Sequence, residues 1–97
     1  MAKSIMQTNK ECYLCRKFYD IDMQVGLERH HIFGGANRKL SEKDGLVVYL
    51  CQMHHNTPPY GVHFNQNNME LLRKDGQIKW EETYKGNFLA RYGKNYK

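Results

Sequence analysis

The chain contains no run approaching the roughly 18 consecutive apolar residues that a membrane-spanning helix requires, which excludes such a helix from its 97 residues. Its opening, Met1 to Gln7, lacks the continuous apolar segment of a secretory signal. Cysteine is scarce and odd in number, three in all, which argues against a secreted disulfide framework. A protein of a reducing cytoplasm, with no membrane partner, is therefore expected. Only 40% of the residues are hydrophobic, and seven Tyr and one Trp supply much of that share. A chain this short buries only about two-thirds of its unfolded surface. Its core is thin, and a structural metal would supply the missing stability.

What the chain does carry is positive charge and metal-type side chains. Fifteen Lys and Arg against ten Asp and Glu give a formal charge of +5, which favours a polyanionic partner such as nucleic acid, although many solvated domains are also basic. Five His and three Cys gather in three clusters, Cys12 with Cys15, His30 with His31, and Cys51 with His54 and His55, and His63 follows.

One domain is expected, with residues 1–10 as a loose arm, 12–64 carrying the clusters and 65–97 helical. The Cys-x-x-Cys at Cys12 and Cys15 reads as a tight turn, and residues 18–26 as a linker that packs. Residues 27–32 read as a short strand ending in the histidine pair. Residues 33–39 form a flexible glycine-containing turn, and 41–44 a turn of helix or a polar loop. Residues 46–50, β-branched and apolar, are the strongest strand and run into Cys51. Two prolines and a glycine then put His63 on a loop or at a helix start. From an N-cap at Asn65 or Asn67, positions Met69, Leu72, Gly76, Trp80 and Tyr84 recur at helical spacing. They predict one long helix, with a stop at Asp75-Gly76 as the alternative. Asn87 caps a last helix carrying Phe88, Leu89 and Tyr92, which Gly93 ends.

Three thiolates, Cys12, Cys15 and Cys51, need one histidine to complete a Cys₃His set of the structural zinc type. His54 repeats the two-residue spacing and is the better choice. A redox reading of the Cys-x-x-Cys is weaker, because no βαβ unit surrounds it. His55 then points elsewhere, since neighbours on a helical turn diverge by about 100°. His30, His31, His55 and His63 are left unspent.

Across residues 12–64, the order of His30-His31-Ile32-Phe33-Gly34-Gly35, a second strand, then Cys51-x-x-His54-His55 and Gly61-Val62-His63-Phe64 resembles the HNH (His-Me finger, ββα-metal) endonuclease family. It is similar in particular to small phage and prophage members with a zinc knuckle. The resemblance implies an α+β fold, with a small ββα-metal core, a knuckle of Cys12, Cys15, Cys51 and His54, and C-terminal helices. It also implies His30, His55 and His63 as ligands of a catalytic divalent ion such as Mg²⁺, and His31 as general base. Gly45 stands where the family places its orienting Asn, and Asn37, Ser41 or Asp44 are the candidates to replace that function.

The function expected is metal-dependent hydrolysis of DNA phosphodiesters, in phage recombination or DNA processing, in a bacterial or phage-infected cytoplasm. Arg29, Arg38 and Lys39 would contact phosphates, Arg in a bidentate manner. The alternative is a zinc-stabilised nucleic-acid-binding or recombination-accessory module with weak or lost catalysis; a protein-interaction zinc finger would need neither the basic loop nor the spare histidines. A homodimer is possible, with Phe88, Tyr92 and Tyr96 as exposed aromatics for its interface.

Overall fold

Two four-residue strands pair antiparallel at the centre of the molecule, β1 (Glu28–His31) and β2 (Val47–Leu50), with His30 opposite Val48 and His31 opposite Val47. In this computed structural model, which describes residues 3–97, helix α1 (Tyr13–Tyr19) precedes them. A 3₁₀ turn (Gly35–Asn37) and α2 (Arg38–Asp44) connect them, and α3 (Gln52–His55), α4 (Gln66–Thr83) and α5 (Phe88–Tyr92) follow. The fold is a small α+β unit with a two-stranded sheet and several helices. No helix among the described residues is long and apolar enough to cross a membrane.

β2 forms because Val47 and Val48 suit a pleated surface and are buried on both sides. An isolated parallel bridge between Cys12 and Tyr49 lays the start of α1 beside it. The Cys-x-x-Cys is therefore not a separate tight turn. Cys12 is the N-cap of α1, its sulfur accepting the Cys15 backbone N–H at 3.4 Å, and the helix takes over the first residues of the expected linker before Asp20 ends it in the left-handed conformation.

Two other segments are more ordered than their composition implies. The expected glycine-rich turn is short, so that Arg38 and Lys39 begin α2 rather than sit on a loop. The expected arm is anchored over residues 4–7. Ile5 N–H donates to the Gly45 carbonyl at 2.9 Å, Ser4 Oγ to the Val47 carbonyl at 2.6 Å, and Gln7 Oε1 accepts from Tyr49 N–H at 2.8 Å. Gly45 is needed at that crossing. It ends α2 with φ 76°, and a Cβ there would lie 2.3 Å from the Lys3 carbonyl oxygen.

α4 runs as one helix from its N-cap Asn65, whose side chain accepts from Asn68 N–H at 3.0 Å. It passes through Gly76 because a Cβ there would stand 3.1 Å from an Ile32 methyl and 3.4 Å from the Phe33 ring. The glycine lets the helix lie close against the end of β1. Asp75 ties the same helix to α1, accepting from Tyr13 OH at 2.8 Å and pairing with Lys17 at 2.9 Å.

The C-terminal aromatics are core, which corrects their reading as a free interface. Phe88 and Tyr92 are buried and stacked on one another at 4.5 Å, and Phe33 and Trp80 complete the cluster. Tyr96, half-buried, packs on Phe33. The alternation of the last helix hides this, because five residues show too little periodicity to distinguish an inward from an outward face.

Asp44, at the end of α2, fastens this cluster. Its carboxylate accepts from Trp80 Nε1 at 2.9 Å, Tyr92 OH at 2.8 Å and Arg91 Nε and Nη2 at 2.6 and 2.7 Å, and its carbonyl accepts from Tyr84 OH at 2.8 Å. Burial raises the carboxyl pKa, but the bonds from Arg91, Tyr92 and Trp80 outweigh it and hold the group below its ordinary value. A carboxyl depressed in the folded state contributes stability above its unfolded pKa, about 3.9, and loses it as pH falls through the lower folded value. Asp44→Asn is predicted to cost about 3 kcal/mol at neutral pH in urea unfolding, since it leaves Arg91 without its counter-charge. The gap to wild type should narrow below about pH 4; a gap that is absent at neutral pH contradicts the assignment.

Candidate metal centres and the histidine cavity

Three elements deliver four buried ligand-type side chains to one point. The start of α1 supplies Cys12 and Cys15, the end of β2 supplies Cys51, and the first turn of α3 supplies His54. The Nδ1 atom of His54 lies 3.6, 3.4 and 3.5 Å from the sulfurs of Cys12, Cys15 and Cys51, and the Cys15 and Cys51 sulfurs are 3.7 Å apart. A tetrahedron with metal–sulfur bonds of about 2.3 Å and metal–nitrogen bonds of about 2.0 Å has S···N edges of about 3.5 Å and S···S edges of about 3.8 Å. The observed spacings fit those edges, and 3.7 Å is far outside a disulfide bond.

The electrostatics agree. Burial, followed by the neighbouring sulfurs of Cys12 and Cys51, pushes the Cys15 thiol well up, so three thiolates in this space require a cation. Burial lowers the His54 pKa and keeps the ring neutral, the form in which it can donate a lone pair. The four residues thus form a site able to hold a structural metal, and Phe18 and Tyr19 cover the His54 ring with centroids at 5.9 and 6.1 Å.

Successive residues of a strand face opposite sides, so His30 and His31 part company. His30 turns toward α3, where one ring nitrogen from each of His30, His55 and His63 lies within 4.8 Å of the others. Nε2 of His55 and Nε2 of His63 are 3.2 Å apart. The spacing of eight residues between them is closed by the loop after α3: Gly61 N–H donates to the Thr57 carbonyl at 2.8 Å, and Val62 N–H returns to the His54 carbonyl at 2.8 Å. Gly61 permits this return, because a Cβ there would lie 2.9 Å from the His55 carbonyl oxygen.

Nε2 of His30 is buried and has no hydrogen-bond partner among the described residues, an uncommon state for a polar atom. Burial, and then the charges of His55, His63, His31 and Arg73, lower its pKa to about 3. His63 is lowered by burial and by His55, against an opposing effect of Glu28. Both rings are therefore neutral near pH 7. Glu28 was not among the expected site residues, yet its Oε1 lies 3.1 Å from His55 Nδ1, as does Asn56 Nδ2; a tautomer that donates from Nδ1 to Glu28 would turn the His55 Nε2 lone pair toward His63. Its position two residues before His30, on the same strand face, was the available signal.

On the other face, His31 Nε2 lies 3.0 Å from Glu42 Oε1 on α2. Arg29 clasps the same carboxylate with both Nη atoms, its Nη2 reaching Oε2 at 2.8 Å. Arg29, expected on a phosphate, is thus engaged by Glu42. Nothing in the sequence singled out Glu42, because a polar segment of unassigned conformation gives no facing direction. Of the three candidates for the missing Asn, Ser41 is the one bonded to the end of β1. Its Oγ accepts from Phe33 N–H at 3.2 Å and donates to the Leu46 carbonyl at 2.6 Å. Asn37 instead donates to the Tyr92 carbonyl at 3.1 Å, and Asp44 belongs to the aromatic cluster.

Both histidine faces open into a cavity of about 680 Å³, whose lining includes Arg29, His30, His31, Arg38, His55, His63, Arg73 and Tyr96. Lys39, expected beside Arg38 on a phosphate, is exposed and lies outside that lining. The chain matches no family model, no curated protein and no solved structure.

Purified protein is predicted to carry one tightly held metal per chain at the Cys12, Cys15, Cys51 and His54 site, read by elemental analysis. Cys15→Ser should lose most of it and unfold at markedly lower temperature, because a metal at such a site contributes on the order of 10 kcal/mol to folding. Unchanged circular dichroism after verified metal removal contradicts this.

Proposed function

We propose that this chain is a zinc-stabilised, metal-dependent endonuclease of the HNH, or His-Me finger, type, acting on DNA phosphodiesters. The observation that carries the reading is the meeting, in one arginine-lined cavity, of three clustered histidines with a separate histidine–carboxylate pair. The Cys₃His set is suited to zinc by its donor chemistry, and a reducing cytoplasm would keep its thiols available.

His30, His55 and His63 would hold a divalent cation such as Mg²⁺, which when bound supplies neutralisation of the charge that builds on the phosphate and leaving oxygens. Unpaired Nε2 of His30 is the ligand atom the cavity leaves ready. Glu28 orients His55 for the same task.

The second job is activation of water. A His31 tautomer that donates from Nε2 to Glu42 carries its lone pair on Nδ1, and Nδ1 is the atom that would take the proton as water attacks. Glu42 then stabilises the imidazolium that results. Arg29, paired to Glu42, keeps that carboxylate in place. Ser41, in place of the family's Asn, would hold the end of β1 while His31 works.

Gly45 supports a second reading, a nucleic-acid-binding accessory module without efficient cleavage. One assay separates the two. Incubated with supercoiled plasmid and Mg²⁺ or Mn²⁺, the protein should nick DNA, and His31→Ala should slow nicking by about 10²- to 10⁴-fold with metal content and fold retained. Salt-dependent binding with no nicking in any divalent metal favours the accessory module; nicking unchanged in His31→Ala removes His31 from the chemistry.

A further inference from the structure

The chain has five arginines, and three are committed to carboxylates: Arg16 to Glu11 and Asp20, Arg29 to Glu42, and Arg91 to Asp44. Arg38 and Arg73 make no ion pair among the described residues, and both line the histidine cavity. Arg73 is the unexpected one. It belongs to α4, a helix whose sequence pattern reads as packing alone.

Arg73 is half-buried, and its Nε is fully buried with no hydrogen-bond partner among the described residues. Its guanidinium lies over the Tyr96 ring, 5.8 Å from the centroid. That residue is itself fixed, its ring tilted against Phe33 with centroids 5.0 Å apart and its backbone N–H donating to Gln77 Oε1 at 2.6 Å. Gly76, one turn beyond on the adjoining face, lets α4 approach Ile32 and Phe33 and so carries Arg73 toward the end of β1. A partly desolvated cation with an unsatisfied N–H is costly unless an anion completes it. Arginine's planar fork matches a phosphate.

We propose that Arg73 is a phosphate-binding residue of the histidine cavity, holding the DNA phosphate that reaches His30, His55 and His63. The identity of the anion rests on the nuclease reading above; the need for an anion rests on the unpaired guanidinium. Contact with the Tyr96 ring holds the guanidinium at the cavity wall, and the cavity supplies the space for the phosphate beside it.

The test is binding of a short fluorescein-labelled DNA duplex, followed by anisotropy across a salt series with no added divalent metal. Removing one phosphate contact lowers the slope of log K against log salt by about 0.9. Arg73→Gln should show that loss and bind about tenfold more weakly at physiological salt, with zinc content and melting temperature retained. Arg73→Lys should restore the slope. Lys74→Gln removes the same charge from the neighbouring exposed position, outside the cavity, and should leave the slope near wild type.

The proposal is overturned if wild type does not bind the duplex, if Arg73→Gln keeps the wild-type slope, if Lys74→Gln loses as much, or if Arg73→Lys restores nothing. Nicking does not enter this measurement. A wild-type protein that binds without cleaving retires the nuclease reading and leaves the Arg73 slope to stand. Nicking by wild type together with an unchanged slope in Arg73→Gln retires Arg73 alone.

Discussion

The convergence of Cys12, Cys15, Cys51 and His54 is the constraint on which the rest of this small fold depends. It joins the start of α1 to the end of β2 and to α3, elements that are each too short to persist alone. It also sets direction. With His54 turned inward to the sulfurs, its neighbour His55 is rotated by about 100° and emerges toward His30. A structural site therefore aims a residue of the candidate functional site, and the loop from Thr57 to Val62 brings His63 back to the same place.

The strand divides the labour. Period-two alternation places Glu28 and His30 on one face and Arg29 and His31 on the other, so a dipeptide of two histidines serves two environments. Each face has its own carboxylate. Glu28 orients His55, and Glu42 meets His31 while Arg29 holds it. The same polar arrangement continues behind the cavity, where Asp44 gathers Trp80, Arg91 and Tyr92 and fixes α4, which carries Arg73, and α5, which precedes Tyr96.

What could be read from the chain alone was whatever depends on local spacing. The Cys-x-x-Cys and Cys-x-x-His steps, the apolar run of β2, the long period of α4 and the caps Asn65, Asn87 and Gly93 are such features, and the structure contains each element. Features set by distant neighbours were hidden. Glu42 and Arg73 gain their meaning from residues across the fold, and Gly45 gains a second one from the Lys3 carbonyl that crosses it. The N-terminal segment looked loose because its partners, Gly45, Val47 and Tyr49, lie about forty residues away.

X-ray absorption at the zinc edge on purified protein reads whether a metal held by Cys12, Cys15, Cys51 and His54 organises both the fold and the histidine cavity. The expected spectrum is that of a four-coordinate shell of three sulfurs at about 2.3 Å and one nitrogen at about 2.0 Å. A shell of only nitrogen and oxygen donors, or a folded protein that holds no metal, would contradict it.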